Sequence, residues 1–186
     1  MNTYIAILRG INVSGHKMIR MEALRAMFES LNFKNTKTYI QSGNVVFQSK
    51  EINIDKLEQK IAKEIQKEFG FEVPVIVKEL DEIKIVLKNN PFVNKRKEDV
   101  TKLHITFLSG EPAKDSTEKI KDVNYMPDEF IITGKAIYLF CPDNYGNTKL
   151  NNNFFENKLK VIATTRNWKT VNELVSIGEA ISGTIK

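Results

Sequence analysis

Along this chain, short continuous apolar runs alternate with segments whose apolar residues recur every third or fourth position. Tyr4-Ile5-Ala6-Ile7-Leu8 is unbroken, which predicts a strand over residues 4–9 covered on both faces. Leu24, Met27, Phe28 and Leu31 carry helical spacing. Residues 36–42 and 44–48 predict two strands joined tightly through Gly43. Leu57, Ile61 and Ile65 predict a second helix with Gly70 as its C-cap. Phe71, Val73, Val75 and Val77 then alternate as a fourth strand. The order is β-α-β-β-α-β, the ferredoxin-like unit. Pro74 falls within the fourth strand and donates no ladder bond, which restricts that strand to a sheet edge. In a sheet ordered 4-1-3-2 the fourth strand is an edge.

The pattern then repeats. Leu80, Ile83, Val86 and Leu87 predict a short helix, and Asn94-Lys95-Arg96-Lys97-Glu98-Asp99 a charged connector. Leu103, Ile105 and Phe107 alternate as a strand, followed by a helix over 115–123 and a hairpin over 130–138. A helix carries Leu150, Phe154 and Leu159, and Val161-Ile162-Ala163 reads as a short last strand. Trp168, Val171, Val175 and Ile181 give a closing helix its core contacts. Two short echoes support duplication: Leu8-Arg9-Gly10 with Leu108-Ser109-Gly110, and Ser42-Gly43-Asn44 with Thr133-Gly134-Lys135. The expectation is an α+β chain of two tandem ferredoxin-like units with mainly antiparallel sheets and an extra C-terminal helix. The units are expected at residues 1–93 and 94–186.

Polar residues interrupt this pattern at strand ends, where they are costly unless they bond to something. The predicted topology brings Arg9, Gln41, Ser42 and Asn44 to one sheet edge. Arg9 offers a planar fork of donors suited to phosphate or carboxylate. Gln41, Ser42 and Asn44 each donate and accept, although turn chemistry explains Gln41 and Asn44 equally well and Ser42 better. The loop after the first strand adds Asn12 and Lys17 over that edge, with Gly10 and Gly15 letting its backbone approach a ligand. In the second half, Thr164 and Thr165 are placed to cap the last helix, with Arg166 and Asn167 at its positive end. Lys149 sits in a polar loop, residues 142–149, at the same end of that half.

The chain has 28 Lys and Arg against 23 Asp and Glu, a net charge of +5. The excess is split almost evenly between the two halves, so it permits an anionic partner without locating one. No apolar run approaches the roughly 18 residues that span a bilayer, and the N-terminus lacks a signal-peptide pattern. Cys141 is the single cysteine, which excludes an internal disulfide and fits a cytoplasmic protein. Glycine-rich phosphate cradles are absent. His16 and His104 stand apart with no ligand spacing around them, so no metal or other cofactor is expected. Cys141 reads as core, and no paired carboxylates or Ser/His/Asp arrangement stands out.

Three stretches closely resemble the signatures of the bacterial family called domain of unknown function 1697. They are residues 4–13, with Leu8-Arg9-Gly10-Ile11-Asn12, residues 38–47, with Gln41-Ser42-Gly43-Asn44, and residues 164–171, with Thr165-Arg166-Asn167-Trp168. Asn90-Pro91-Phe92 and Lys149-Leu150 fit as well. Ser14 departs from the glycine common in the family, and Asn144 lies in a loop usually richer in glycine. The resemblance implies a two-part α+β architecture and carries no established activity. Three functional classes remain open on the residues alone. The first is binding of an anionic small molecule or nucleic acid through the polar strand ends. The second is an enzyme using the same Arg, Gln and Asn groups to stabilise charge. The third is a protein-interaction module with an unknown partner.

Overall fold

A computed structural model of the chain describes residues 1–121 and 123–183. The chain divides into two compact units. One comprises residues 1–84 together with the chain from Glu173, and the other comprises residues 85–172.

In the first unit the elements are β1 (Asn2–Leu8), α1 (Met21–Ser30), β2 (Lys34–Tyr39), β3 (Asn44–Ser49), α2 (Ile54–Phe69) and β4 (Val75–Glu79). The strands form an antiparallel sheet ordered β2-β3-β1-β4. The apolar run of β1 is buried throughout from Tyr4 to Leu8, as the absence of alternation requires. On one face Tyr4, Ala6, Leu8, Val45 and Phe47 pack with Leu24 and Phe28 of α1 and Leu57, Ile61 and Ile65 of α2. Asn53 caps α2 by accepting from Lys56 N at 3.0 Å, and Gly70 ends it at φ 81°, where a residue without Cβ is unstrained. Pro74 precedes β4 instead of lying in it, and its carbonyl accepts from Arg9 N at 2.9 Å. β4 is an edge strand. The alternation of Phe71 and Val73 belongs to the approach to β4, where both pack on the same apolar cluster.

The chain continues through α3 (Leu80–Lys88), α4 (Pro91–Asn94), β5 (Leu103–Leu108), α5 (Lys114–Lys121), β6 (Glu129–Thr133), β7 (Ala136–Phe140), α6 (Asn152–Leu159), β8 (Ala163–Asn167) and α7 (Trp168–Ser182). The second sheet is also antiparallel, ordered β6-β7-β5-β8. Its core packs Leu108, Ile137, Leu139 and Ala163 with Ile120 of α5 and Phe155 and Leu159 of α6. The strand ends repeat in their backbone bonds. Leu8 N donates to Gly43 O and Leu108 N to Lys135 O, both at 2.9 Å. Arg9 N donates to Pro74 O and Ser109 N to Ile162 O, at 2.9 and 3.0 Å.

From Glu173 onward α7 belongs to the first unit. There Glu179 lies 3.2 Å from Lys84, and Ser182 exchanges a 2.7 Å hydroxyl hydrogen bond with Thr3. Its apolar stripe defined a helix but not the sheet it serves. Among the described residues, no helix is long and apolar enough to cross a membrane.

Candidate functional site

The antiparallel pairing places the C-terminal ends of β1 and β2 and the starts of β3 and β4 at one end of the first sheet. The loop leaving β1 is wound through left-handed backbone at Gly10, Asn12, Ser14, Gly15 and Lys17. Asn12 N donates to Lys17 O at 3.2 Å and His16 N to Val13 O at 2.9 Å. With positive φ at both Ser14 and Gly15, the tip has the form of a type I′ turn.

Side chains that read as ligand groups in the sequence brace this loop. Asn12 Nδ2 donates to Gln41 O at 2.7 Å and Ile19 O at 3.0 Å, and Asn12 Oδ1 accepts from Ile19 N at 2.8 Å. Lys17 Nζ donates to Glu72 O at 2.6 Å. Asn44, fully buried, donates from Nδ2 to Tyr39 O at 3.1 Å and Ser42 Oγ at 2.8 Å. Asn12, Lys17, Ser42 and Asn44 therefore tie the loop, the β2–β3 turn and the approach to β4 into one assembly. Arg9 is half-buried at the same end, and the Gln41 side chain is exposed.

Beside these loops lies a cleft of about 560 Å³ lined by residues 18–22 and Gln41. It opens at the N-terminus of α1, where the cap residue Arg20 makes no side-chain hydrogen bond to the first turn. Free N–H groups and the positive helix end favour an anion there. Ile40, next to Gln41, sits at φ 49° with its side chain 48% exposed. A β-branched residue in left-handed backbone is a strained outlier, a feature that collects at functional sites. The sequence reading singled out neither Arg20 nor Ile40. An arginine before a helix is common, and φ leaves no signature in an apolar residue.

The second unit is arranged differently from the expectation. Thr164 and Thr165 do not cap the last helix, because β8 extends from Ala163 to Asn167 in register with β5. The missing alternation misled the reading: Thr165 is buried as a polar residue because its hydroxyl bonds Thr106 Oγ1 and Asn152 Oδ1, each at 2.7 Å. Asn167 supplies the cap, accepting from Thr170 N at 2.8 Å. Arg166 Nη1 donates to Thr164 Oγ1 and Thr165 O at 3.0 and 2.9 Å. Lys149 is exposed and lines a separate cleft of about 450 Å³ with Asp128, Asn147 and Tyr125. The His104 ring stacks on Tyr145 at 4.5 Å, and burial pushes its imidazole below the usual value. Among the described residues, no group of three His, Cys, Asp or Glu is placed to hold a metal.

Cys141 is 1% exposed. Burial, then the neighbouring Asp128 carboxylate, pushes its thiol up to about 11, so at neutral pH it is protonated and a poor nucleophile. Thiol-reactive dye should therefore label native protein slowly at pH 7 and rapidly once denaturant unfolds it. Fast native labelling would show that the thiol is reachable and ionised.

The sequence pattern of the family described as protein of unknown function DUF1697 matches residues 1–138. That span includes the braced loops of the first sheet and ends before Lys149 and β8. No curated protein matches the chain. Among solved structures, the conserved bacterial protein SP0830 from Streptococcus pneumoniae is similar in fold, with a TM-score of 0.74 and 22% identity. The alignment covers 95% of this chain and 98% of that one.

Proposed function

Because the chain belongs to the DUF1697 family of proteins of unknown function, its role has to be read from its own residues, and we propose that it binds a small phosphate- or carboxylate-bearing ligand at the loop end of the first sheet. The observation that carries this reading is the cleft at the uncapped N-terminus of α1, bordered by Arg20 and Gln41. Backbone N–H groups would take the anion, Arg20 would neutralise it, and Gln41 would read its polar remainder. Arg9 supplies a second cation at the same sheet end. The braces from Asn12, Lys17 and Asn44 support preorganised binding, since ordering these loops is already accomplished before a ligand arrives. Lys149, Thr165, Arg166 and Asn167 form a separate polar end in the second unit and are not needed for this site. We read each unit as ferredoxin-like; the β-α-β-β-α-β order and the two equivalent sheet orders support it.

Thermal unfolding against a panel of nucleotides, phosphometabolites and carboxylates tests the proposal. A ligand at a hundred times its Kd adds about 2.7 kcal/mol, which in a chain of this size raises Tm by roughly 5–10 °C. The shift should vanish in Arg20→Ala and shrink in Gln41→Ala, while Lys149→Ala keeps it. A flat panel on folded protein, or a hit indifferent to Arg20, overturns the assignment.

A further inference from the structure

Although basic residues are dispersed along the sequence, the fold of the first unit sets six lysines on and beside α2. On α2, Lys56, Lys60, Lys63 and Lys67 follow one another at spacings of four, three and four, which keeps them on one stripe of the helix. All four are exposed, and the stripe runs about 16 Å along the axis. Its first half borders a cleft of about 450 Å³ that also receives Lys34 from the start of β2 and Lys50 from just past the end of β3. Lys34 and Lys50 are 16 positions apart in the chain, which is why the charge pattern of the sequence does not announce this surface.

Ion pairing takes up several of the unit's other cations. Lys78 is bound to Glu82 at 2.9 Å, Lys84 to Glu179 at 3.2 Å, and Arg25 lies 4.0 Å from Glu29. Lys67 on the stripe pairs with Glu64 at 2.8 Å. Among the described residues, Lys34, Lys50, Lys56 and Lys63 make no salt bridge, although the Glu51 carboxylate acts electrostatically on Lys56 and Lys60. Lys60 is oriented by its bond to Leu31 O at 2.9 Å and lies 5.1 Å above the Phe33 ring. The one carboxylate lining the cleft, Glu51, turns Oε1 to the N–H groups of Ile52 and Asn53 at 3.0 and 2.9 Å.

We propose that this lysine-lined cleft and the α2 stripe dock the phosphate backbone of a nucleic-acid duplex without reading its sequence. The cations are all lysines, point charges that attract phosphate without fixing its geometry, which suits a backbone held without base readout. Proteins that hold single strands add exposed aromatic platforms, but the aromatic residue here, Phe33, is 4% exposed. A concave cleft continued by a ridge accepts a phosphate line better than it accepts a flat bilayer. Contacts of this kind are electrostatic, so affinity falls with salt as counterions are released.

Fluorescence anisotropy of a labelled 20-base-pair duplex, titrated with the full chain at several salt concentrations, tests this. The slope of log Kobs against log salt should be near −4, about −0.9 for each phosphate neutralised. A scrambled duplex should bind equally well. The Lys34→Gln/Lys50→Gln/Lys56→Gln variant, changed only at exposed positions, should lose about three units of that slope with its Tm unchanged. Arg20→Ala should leave duplex binding intact, which separates this surface from the small-anion cleft. Absence of duplex binding at low salt, binding indifferent to the triple change, or capture of anionic vesicles or acidic peptide in place of the duplex overturns the proposal.

Discussion

Phe47→Ala is expected to destabilise the protein by about 3–5 kcal/mol, the range for emptying a large aromatic site in a packed core. Phe47 is fully buried in β3. Its ring lies 4.5 Å from Phe33, 5.4 Å from Phe28 and 5.7 Å from Tyr4 by centroid distance. It thus joins α1, β1 and the entry to β2 in one aromatic cluster, and Phe28 and Tyr4, held in helix and sheet, cannot collapse into the space. In a chain of this length the loss corresponds to roughly 6–20 °C in Tm. Thermal melts of the variant against wild type measure it, with Phe47→Leu as a volume-retaining control that should lose far less. A fall of only one or two degrees in Phe47→Ala would mean that the cluster repacks and that Phe47 is not its anchor.

Much of this core was readable from residue spacing. Tyr4 to Leu8 and the Leu57–Ile61–Ile65 series announce their elements because burial imposes a period on apolar residues, and Gly70 announces a helix end through its φ. Polar residues carry no such period. Asn12, Lys17 and Asn44 occupy the positions expected of ligand contacts, but their partners are the carbonyls of Gln41, Glu72 and Tyr39. Whether an amide at a strand end binds its own backbone or a ligand depends on distant segments whose approach the local sequence does not encode. The same ambiguity turned Thr164-Thr165 into a presumed cap: a buried threonine on β8 is tolerated only because Thr106 and Asn152 arrive from two other elements. The clustering of Lys34 and Lys50 beside α2 is likewise a product of strand pairing, in which Lys34 lies opposite Gln48.

Gly43→Ala is expected to cost about 2–5 kcal/mol and to weaken ligand binding at the first sheet more than the lost stability alone accounts for. Two effects combine. Gly43 has φ 75°, a left-handed conformation that costs an L side chain about 1–2 kcal/mol. A Cβ there would also stand 2.7 Å from Ile11 Cδ1 and 2.8 Å from Leu8 Cβ, and overpacking of that kind adds about 1–3 kcal/mol. Leu8 cannot retreat, because its N–H is held by Gly43 O at 2.9 Å within the sheet. The β2–β3 turn must move instead, and it carries Gln41, whose carbonyl receives Asn12 Nδ2 and whose side chain lines the cleft. Gly70→Ala isolates the steric effect: it has φ 81° but nothing within 4 Å of an added Cβ, so only the backbone penalty applies. Chemical denaturation of both variants should place Gly43→Ala below Gly70→Ala by at least about 1 kcal/mol. Equal losses would show that the turn yields freely, and the preorganised cleft that depends on its rigidity would lose its physical basis.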